Sequence, residues 1–506
     1  MPGVRPGLII TKQLFRWVIG GFVLLGLYLF TRFISIRSLP PFNDEFIYVQ
    51  WAQEGFFDPA LRLVSLQDGK QPLYIWLTSL MMNVIPSPLA AGRIVSVLSG
   101  VLTMGGIGVL SYQLYKSQIV SWVSALLYIL FPHALLLDRF ALYDSLLAAL
   151  FLWNIIIMHM LLTAPSLGTA LVLALTLGAA LLVKSSAWFL FIILPLEALI
   201  LTRLLRRKAH VLALLTVSIL VALLYQSVQH LSPAAQYIAE KNTTFIYTWD
   251  EFRRLPILTH ISQQLRLCTS WITSYLPIPL LLVAGSMWLT DRKHYRAHLL
   301  LTLSFMIPFI VVVFVGKTVY PRHLFFFSVP LLILAGSGVV RLWQTTSSFW
   351  FRLSVAFLCI LPVAFTSFGI LFDYKNATLP SIDRFQYIEG WPAGWGMKDI
   401  ARFVEEHATK GKITILTEGI YGSMPTTAMR LYFRNYPQVH IRPIDDVTLT
   451  VPCEIDWSEG VYVILNKSQD IPTTWEAEEM VAVQKGNANS YVRLLKLKKP
   501  KTICGN

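Results

Sequence analysis

The stretch Pro40-Pro41-Phe42-Asn43-Asp44-Glu45-Phe46 follows directly after the first apolar segment of the chain. Two adjacent carboxylates therefore stand where the chain would leave a lipid bilayer, with aromatic residues on both sides. A carboxylate beside a membrane has to be hydrated, paired or used, because burying it alone costs several kcal/mol. The pair thus belongs either to an ordinary solvated loop or to a functional site. Other features of the sequence distinguish these two interpretations.

The composition predicts a polytopic membrane protein. Of 506 residues, 55% are hydrophobic and 14% are charged, which is more apolar surface than a soluble protein of this length could bury. The apolar segments end near residue 372, and the composition is ordinary and charged from Asp373 onward. We therefore predict a transmembrane domain over 1–372 and a soluble α/β domain over 373–506. The net charge of +14 suggests anionic partners such as lipid head groups or phosphates, rather than nucleic acid.

Eleven segments have the length and hydropathy of membrane spans. They are 15–36, 88–115, 119–137, 141–162, 166–183, 186–203, 209–229, 271–290, 297–315, 323–341 and 350–372. The apolar segment 72–86 would reach only about 22 Å across a hydrocarbon core of roughly 30 Å. We therefore predict an interfacial or re-entrant helix there, within a first external loop over 38–87. With a cytoplasmic amino terminus on a retained anchor, the basic clusters at 203–208 and 291–296 then lie inside, as the positive-inside tendency requires.

The same topology collects polar residues at the external face. Any one of them could be an ordinary helix-end charge that reaches the interface, but their convergence on one face is harder to dismiss. They are Asp44, Glu45, Lys70, Arg93, Asp138, Arg139, Asp144, Lys184 and the element Tyr320-Pro321-Arg322-His323. The long polar loop 230–270 is also external, and it either covers a substrate or only connects two spans.

The tail shows alternating helix and strand patterns, which predict a small sheet with helices packed on it. The helical patterns are Met397–His407 and Thr426–Phe433, and the strand patterns are Lys412–Leu416, Gln438–Arg442 and Gly460–Leu465. A Gly- and Trp-rich turn at 390–396 precedes the first helix but lacks the G-x-G-x-x-G spacing. We therefore exclude a dinucleotide site.

An external site at membrane level with carboxylates and cations suits the transfer of a sugar from a lipid phosphate. A carboxylate takes the proton of the acceptor hydroxyl, and cations stabilise the departing phosphate. Asp44 suits the base and Glu45 a helper or structural role, while Asp144 could hold the sugar or the acceptor. The phosphate candidates are Lys70, Arg322 and Lys184.

No metal or redox site is predicted. The cysteines Cys268, Cys359, Cys453 and Cys504 follow no metal or redox spacing. No cluster of ligands demands a metal, although the acidic pair could hold Mg²⁺ or Mn²⁺ through oxygen. We expect no required cofactor.

Five elements in this order resemble the polytopic glycosyltransferases of the GT-C fold. The resemblance is to relatives of the protein O-mannosyltransferases and of the aminoarabinose transferases that modify lipid A. The elements are Asp44-Glu45, Lys70-Gln71-Pro72-Leu73, Arg139-Phe140-Ala141-Leu142-Tyr143-Asp144, Leu182-Val183-Lys184 and Arg322-His323. The resemblance covers most of residues 10–340. The chain departs from it at Lys184-Ser185-Ser186, where members often have Lys-Gly-Pro, and at Arg322-His323, where they often have Arg-Tyr.

The resemblance implies a polyprenyl-phosphate sugar donor, undecaprenyl rather than dolichyl phosphate, with inversion at the anomeric carbon. It implies that Asp44 is the base and that Lys70 lies near the donor phosphate. Among the elements that carry it, Arg139 becomes a further phosphate candidate, and Tyr320 and His323 become substrate contacts. It further implies a multi-pass plasma-membrane protein whose site and soluble domain are extracytoplasmic. The sugar and the acceptor, a hydroxyl on a protein, a lipid or a glycan, stay open.

Two other classes of membrane protein are alternatives to the enzyme. A transporter or flippase of lipid-linked sugars commonly places polar residues near the bilayer midplane, on broken helices of related halves. Here the polar residues cluster at span ends and no internal repeat is evident. A receptor-like or scaffolding protein would act through its tail and leave the Asp44 and Lys70 elements without a role. The enzyme is the hypothesis that uses all of these residues.

Overall fold

The computed structural model describes residues 6–201, 208–420, 422–446, 448–449, 451–452, 455–457 and 460–499. The chain divides into two compact units. The helical unit comprises Met1–Ile36, Leu63–Leu77 and Arg93–Phe372, and the mixed unit comprises Arg37–Arg62, Thr78–Gly92 and Asp373–Asn506. Five residues that bear on these predictions lie outside the described residues: Cys453, Cys504 and the arginines at 203, 206 and 207 of the basic cluster 203–208.

Twenty α-helices run through the described residues. They are α1 (Pro6–Phe33), α2 (Asn43–Phe57), α3 (Leu73–Met81), α4 (Pro88–Tyr115), α5 (Gln118–Leu130), α6 (Pro132–Leu137), α7 (Asp144–Thr163), α8 (Leu167–Leu181), α9 (Leu190–Leu201), α10 (Lys208–Gln226), α11 (Tyr237–Phe245), α12 (Trp249–Arg253), α13 (Ile257–Tyr275), α14 (Ile278–Thr290), α15 (Tyr295–Val315), α16 (Phe325–Thr345), α17 (Phe349–Phe372), α18 (Ser381–Arg384), α19 (Met397–Ala408) and α20 (Met424–Tyr432). Serine side chains cap the starts of helices α5 and α8: Ser117 accepts from the Val120 N–H and Ser166 from the Thr169 N–H.

Within the described residues, six helices are long and apolar enough to cross a membrane, so the chain is a multi-pass membrane protein. They are Pro88–Tyr115, Asp144–Thr163, Ala209–Leu231, Arg292–Val315, Pro321–Thr345 and Phe349–Phe372. The pair α13 and α14 passes the same test together but is bent by 100°. Four shorter apolar helices overlap the other predicted spans: Trp17–Phe33, Gln118–Leu130, Leu167–Leu181 and Ser185–Leu201. The total of eleven spans stays a prediction.

The predicted interfacial segment contains a short helix. Helix α3 has nine residues, and at 1.5 Å per residue it is about 14 Å long, too short to cross a bilayer. Its position at the membrane interface stays a prediction.

The helical unit contains a fully buried ion pair. The guanidinium of Arg32 on α1 lies 3.2 Å from Asp138 Oδ2, and neither side chain is exposed. Tyr28, Tyr128 and Ser145 donate further hydrogen bonds to the Asp138 carboxylate. Burying a charge is tolerated when a partner and additional hydrogen bonds satisfy it. Asp138, placed by the sequence among external polar residues, is therefore a structural residue of the helix bundle.

The mixed unit contains a five-stranded sheet. The strands are β1 (Ile413–Glu418), β2 (Val439–Ile444), β3 (Gly460–Leu465), β4 (Ala477–Gln484) and β5 (Tyr491–Leu497). They are arranged in the order β2-β1-β3-β5-β4. The first three are parallel, with Ile413 opposite both Val439 and Gly460, and β5 is antiparallel to β3 and β4. The predicted α/β tail is confirmed, but the sequence reading missed β4 and β5.

Candidate functional site

A cavity of about 440 Å³ lies inside the helical unit. It is bounded by the segments that precede α3 and follow α8, by helix α11, by the end of α15 and by the start of α16. Its lining combines lysines with apolar side chains. The lysines are Lys70, Lys184 and Lys241, and the apolar residues include Ile192, Val311, Val312, Val315 and Phe326. A cavity with this lining can hold a molecule that is anionic in one part and hydrocarbon in another.

Two of the lysine-bearing segments are bonded to each other. The Gln71 side chain donates to Ser185 Oγ over 2.7 Å, and the Leu73 N–H donates to the Leu182 carbonyl over 3.0 Å. Gly69, which precedes Lys70, has a φ of +65°. A Cβ at Gly69 would collide with the Tyr237 carbonyl, so the turn requires glycine. The fold therefore holds Lys70 and Lys184 in a fixed relation.

The lysines of the cavity differ in their partners. Lys184 Nζ lies 3.0 Å from Asp144 Oδ1, and Lys241 Nζ lies 2.6 Å from Asp68 Oδ1. Lys70 Nζ instead lies 5.1 Å from the centre of the Phe245 ring and 5.9 Å from that of Tyr143. Among the described residues, no carboxylate lies within ion-pair distance of Lys70. An ammonium held by aromatic faces without a counter-anion is well placed for an anionic ligand.

Asp144 is the first residue of α7 and is buried. One carboxylate oxygen pairs with Lys184, whereas Oδ2 is buried without a hydrogen-bond partner. Lys184 Nζ also lies 4.6 Å from the centre of the Tyr143 ring. A negative charge in the first turn is stabilised by the helix dipole. Asp144 therefore orients Lys184, while Asp144 itself is not among the described residues that line the cavity.

The predicted element at 320–323 lies at the same cavity. His323 is one of the lining residues, and its Nδ1 accepts the Tyr320 N–H at 3.4 Å. Its ring packs against Phe245 and Tyr320. Arg322 is buried, and its guanidinium lies 5.7 Å from the centre of the Tyr320 ring. Of these residues, His323 is the one whose side chain borders the cavity.

Arg139 lies elsewhere in the helical unit. Its side chain is buried, and its Nη atoms donate to the Ile34 carbonyl at 2.7 Å and to the Ile370 carbonyl at 3.4 Å. It is not among the residues that line the cavity. These contacts join the end of α1 to α17, so a structural role accounts for the buried guanidinium better than the predicted phosphate contact does.

Asp44 and Glu45 belong to the mixed unit, in the first turn of α2. Glu45 is fully buried, and its Oε2 accepts the Phe42 N–H at 2.8 Å. A Glu at this position satisfies a backbone donor at the helix start, which favours the structural over the catalytic interpretation of Glu45. Asp44 is half-buried at the preceding position.

A second cavity of about 210 Å³ adjoins the first and was missed by the sequence reasoning. The two share the lining residues Gln71, Ser185, Trp188 and Asn242. The second cavity adds Gln226, Gln229 and His230, and the described residues that line it include no Asp, Glu, Lys or Arg. The Gln229 side chain is buried, and its Oε1 has no hydrogen-bond partner among the described residues. Amides scattered over 71–242 give no sequence signal, because only the fold brings them together.

Within the part of the chain that the structure describes, no three His, Cys, Asp or Glu side chains form a group that could hold a metal ion. That no cofactor is required stays a prediction, and so does the option of Mg²⁺ or Mn²⁺ at the acidic pair.

The helical architecture and this site define a membrane protein of the GT-C-type fold, which confirms the predicted resemblance. The family model of the dolichyl-phosphate-mannose-protein mannosyltransferases matches residues 69–225, the segment that carries Lys70, Asp144 and Lys184. No curated protein matches the sequence at a significant level.

Solved structures show the same fold at low sequence identity. ArnT from Cupriavidus metallidurans in the apo state matches with a TM-score of 0.61 and 14% identity, covering 96% of this chain and 98% of that chain. The same protein bound to undecaprenyl phosphate gives a TM-score of 0.60 and 16% identity, over 95% and 98% of the two chains. The Archaeoglobus fulgidus oligosaccharyltransferase, in complex with Zn and sulfate, gives 0.53 and 12% identity, over 88% and 67%.

Proposed function

We propose that the protein is a glycosyltransferase that moves a sugar from a polyprenyl-phosphate donor to a hydroxyl acceptor. The observation that carries this proposal is Lys70, a cation that has no carboxylate partner in the described part of the chain and lies beside an apolar cavity wall. A lipid phosphate supplies both an anion and a hydrocarbon chain. The ArnT structure that is bound to undecaprenyl phosphate has a similar fold and supports undecaprenyl phosphate as the carrier.

The donor phosphate contacts Lys70 in this proposal, and Lys184 approaches it from the segment bonded to Gln71. The isoprenoid chain follows the apolar residues of α15 and α16. Charge interactions are stronger where water is excluded, so two ammonium groups here would stabilise a phosphate more than at the surface. His323 borders the bound phosphate sugar, and Tyr320 packs against the His323 ring.

The adjoining amide-lined cavity suits a neutral, hydroxyl-rich group. Carboxamides donate to and accept from hydroxyls, and Trp188 offers an aromatic face. Gln229 Oε1 is a buried acceptor without a donor, and buried polar atoms are normally satisfied. We assign this cavity to the sugar of the donor or of a glycan acceptor.

Asp44 is the base of the proposed reaction. It takes the proton of the acceptor hydroxyl while the oxygen forms a bond to the anomeric carbon, and the bond from that carbon to the phosphate oxygen breaks with inversion. The lipid phosphate leaves with the electron pair and is stabilised by Lys70 and Lys184. We place the reaction at the extracytoplasmic face of the plasma membrane, with a protein, lipid or glycan as acceptor.

The test is release of polyprenyl phosphate from a panel of radiolabelled undecaprenyl-phosphate sugars, with purified full-length protein in lipid. A threonine-containing peptide and lipid A are offered as acceptors. We expect acceptor-dependent release by the wild type and a loss of at least 100-fold in Asp44→Asn. Asp250→Asn is the control, because Asp250 is exposed and paired with Arg253 on the same short helix. Movement of intact lipid between leaflets without release from any donor would instead identify a flippase.

A further inference from the structure

A buried lysine of the mixed unit binds the carbonyls of a turn. Lys485 is fully buried just after β4. Its Nζ lies 3.4 Å from the Gly390 carbonyl and 3.3 Å from the Trp391 carbonyl, and it also donates to Asn466 Oδ1. Asn466 Nδ2 donates to the Trp391 carbonyl at 2.9 Å. Two side chains from the sheet therefore hold one turn of the preceding segment.

Asn466 is itself fixed by a buried carboxylate. Glu418, at the end of β1, accepts the N–H groups of Asn466 at 2.6 Å and Lys467 at 2.7 Å through Oε2. Its Oε1 accepts the Ser468 N–H at 2.7 Å. Several N–H groups that converge on one ionised carboxylate form strong, charge-assisted hydrogen bonds. Glu418, Asn466 and Lys485 are named the Lys485 cluster below.

The turn at 390–394 pairs with the segment that precedes Asp44. The Asn43 N–H donates to the Pro392 carbonyl at 2.9 Å, and the Gly394 N–H donates to the Pro41 carbonyl at 2.7 Å. Phe42 and Ala393 form an antiparallel β-bridge. A Cβ at Gly394 would lie 2.5 Å from the Pro41 carbonyl, so this close pairing requires glycine. The pairing fixes the backbone at Asn43, one residue before Asp44.

We propose that the Lys485 cluster is a positioning device that sets the place of Asp44 through the turn at 390–394. The inference rests on the proposed function, in which Asp44 is the base. Burying a lysine is costly, and an apolar side chain would fill the same space while leaving two carbonyls of the turn with fewer donors. The cluster fixes the position of the turn carbonyls. Because the Asn43 N–H donates to the Pro392 carbonyl of this turn, the backbone next to Asp44 is fixed as well.

The positioning role predicts a loss of turnover without a loss of donor affinity. Lys485→Met keeps most of the side-chain volume and removes the ammonium. A displacement of about 1 Å at a catalytic group can cost about 100-fold in rate. We expect kcat to fall 10- to 100-fold, while the affinity for undecaprenyl phosphate stays within twofold of the wild type. Lys467→Met is the matched control, because that neighbouring side chain is 57% exposed and pairs with Asp446.

A second readout does not depend on activity. Hydrogen–deuterium exchange of the full-length protein should be faster at 40–44 and 390–394 in Lys485→Met, and equal to wild type in Lys467→Met. Asn466→Ala, which removes the bond to the Trp391 carbonyl, should show the same change, and it replaces Lys485→Met if that variant does not fold.

The outcomes separate the two proposals. Faster exchange together with the selective fall in kcat supports positioning. Unchanged exchange in these segments, or faster exchange with unchanged kcat, overturns it. A wild type that releases no polyprenyl phosphate from any donor contradicts the proposed function, and the exchange result alone then decides whether the cluster holds the turn.

Discussion

Two neighbouring carboxylates of the same helix turn have different surroundings. Glu45 is fully buried and accepts a backbone N–H, whereas Asp44 is half-buried beside it. A buried carboxylate that satisfies a helix end contributes to stability, and a more accessible one can exchange protons with a substrate. Adjacent positions in a sequence therefore do not imply a shared role.

Substitution of each carboxylate should separate stability from catalysis. We expect Glu45→Gln to lower the free energy of unfolding by about 1 kcal/mol, since a neutral amide is a weaker partner for the Phe42 N–H. Asp44→Asn should abolish turnover, because the amide cannot take the proton of the acceptor hydroxyl. Thermal unfolding and the release assay, run on both variants, check this. If Glu45→Gln lost turnover as Asp44→Asn does but kept the stability of the wild type, Glu45 would be a catalytic residue.

Lys485 should make the stability of the protein depend on pH. Burial lowers the pKa of Lys485 to about 7 from 10.5, with nearby Glu418 acting in the opposite direction. Below pH 7 the amine is protonated in both the folded and unfolded states. Between pH 7 and 10.5 the unfolded state binds more protons, so the free energy of unfolding rises with pH.

The melting temperature of the full-length protein, followed from pH 6 to 9, measures this effect. We expect the wild type to gain stability relative to Lys485→Met as the pH rises above 7. Parallel curves for the two proteins would show that Lys485 does not titrate in this range.

Helix α4 packs closely enough against the buried Arg32–Asp138 ion pair to require a glycine. A Cβ at Gly100 would collide with the Tyr28 hydroxyl and lie 2.5 Å from Asp138 Oδ2. At Gly105, on the same helix, a Cβ would meet nothing within 4 Å. The two positions form a matched pair in one helix.

We expect Gly100→Ala to lower the stability of the protein by about 3 kcal/mol or more, because it would disrupt a buried hydrogen-bonded pair. Gly105→Ala should be neutral or stabilising by up to about 1 kcal/mol, since Ala has the higher helix propensity. Thermal unfolding of both variants provides the comparison. Equal melting temperatures would mean that α4 can shift away from Asp138 at little cost.

The sequence predicts the helices better than it predicts the contacts between distant residues. Apolar runs identify the helices because hydropathy is a local property, and every one of the eleven predicted spans contains an apolar helix. Strands β4 and β5 were missed because their charged residues, Glu478 and Lys496 among them, interrupt the apolar pattern. Arg32 and Asp138 are 106 residues apart, so no local pattern pairs them.

The candidate site could also be predicted only in part, because local sequence patterns do not show which distant residues become neighbours. The ordered elements Lys70, Asp144, Lys184 and His323 were singled out from the sequence, and the fold brings them to one cavity region. Gln229 and the Lys485 cluster could not be predicted, because their neighbours come from distant segments. A site whose residues come from the ends of several helices can therefore be predicted only in part from the sequence.

In the proposed function, the cavity recognises the phosphate of a lipid carrier through Lys70. The most direct measurement is the affinity of the purified protein in lipid nanodiscs for radiolabelled undecaprenyl phosphate, compared with undecaprenol. Loss of a hydrogen bond between charged groups costs about 1.5–3 kcal/mol, or about 10- to 150-fold in affinity. Lys241→Met is the control, because Asp68 pairs with that cavity lysine.

We predict that the wild type prefers the phosphate by at least 10-fold, that Lys70→Met loses this preference and that Lys241→Met keeps most of it. Equal affinity of the wild type for both lipids, or an unchanged preference in Lys70→Met, would contradict recognition of the lipid phosphate by Lys70.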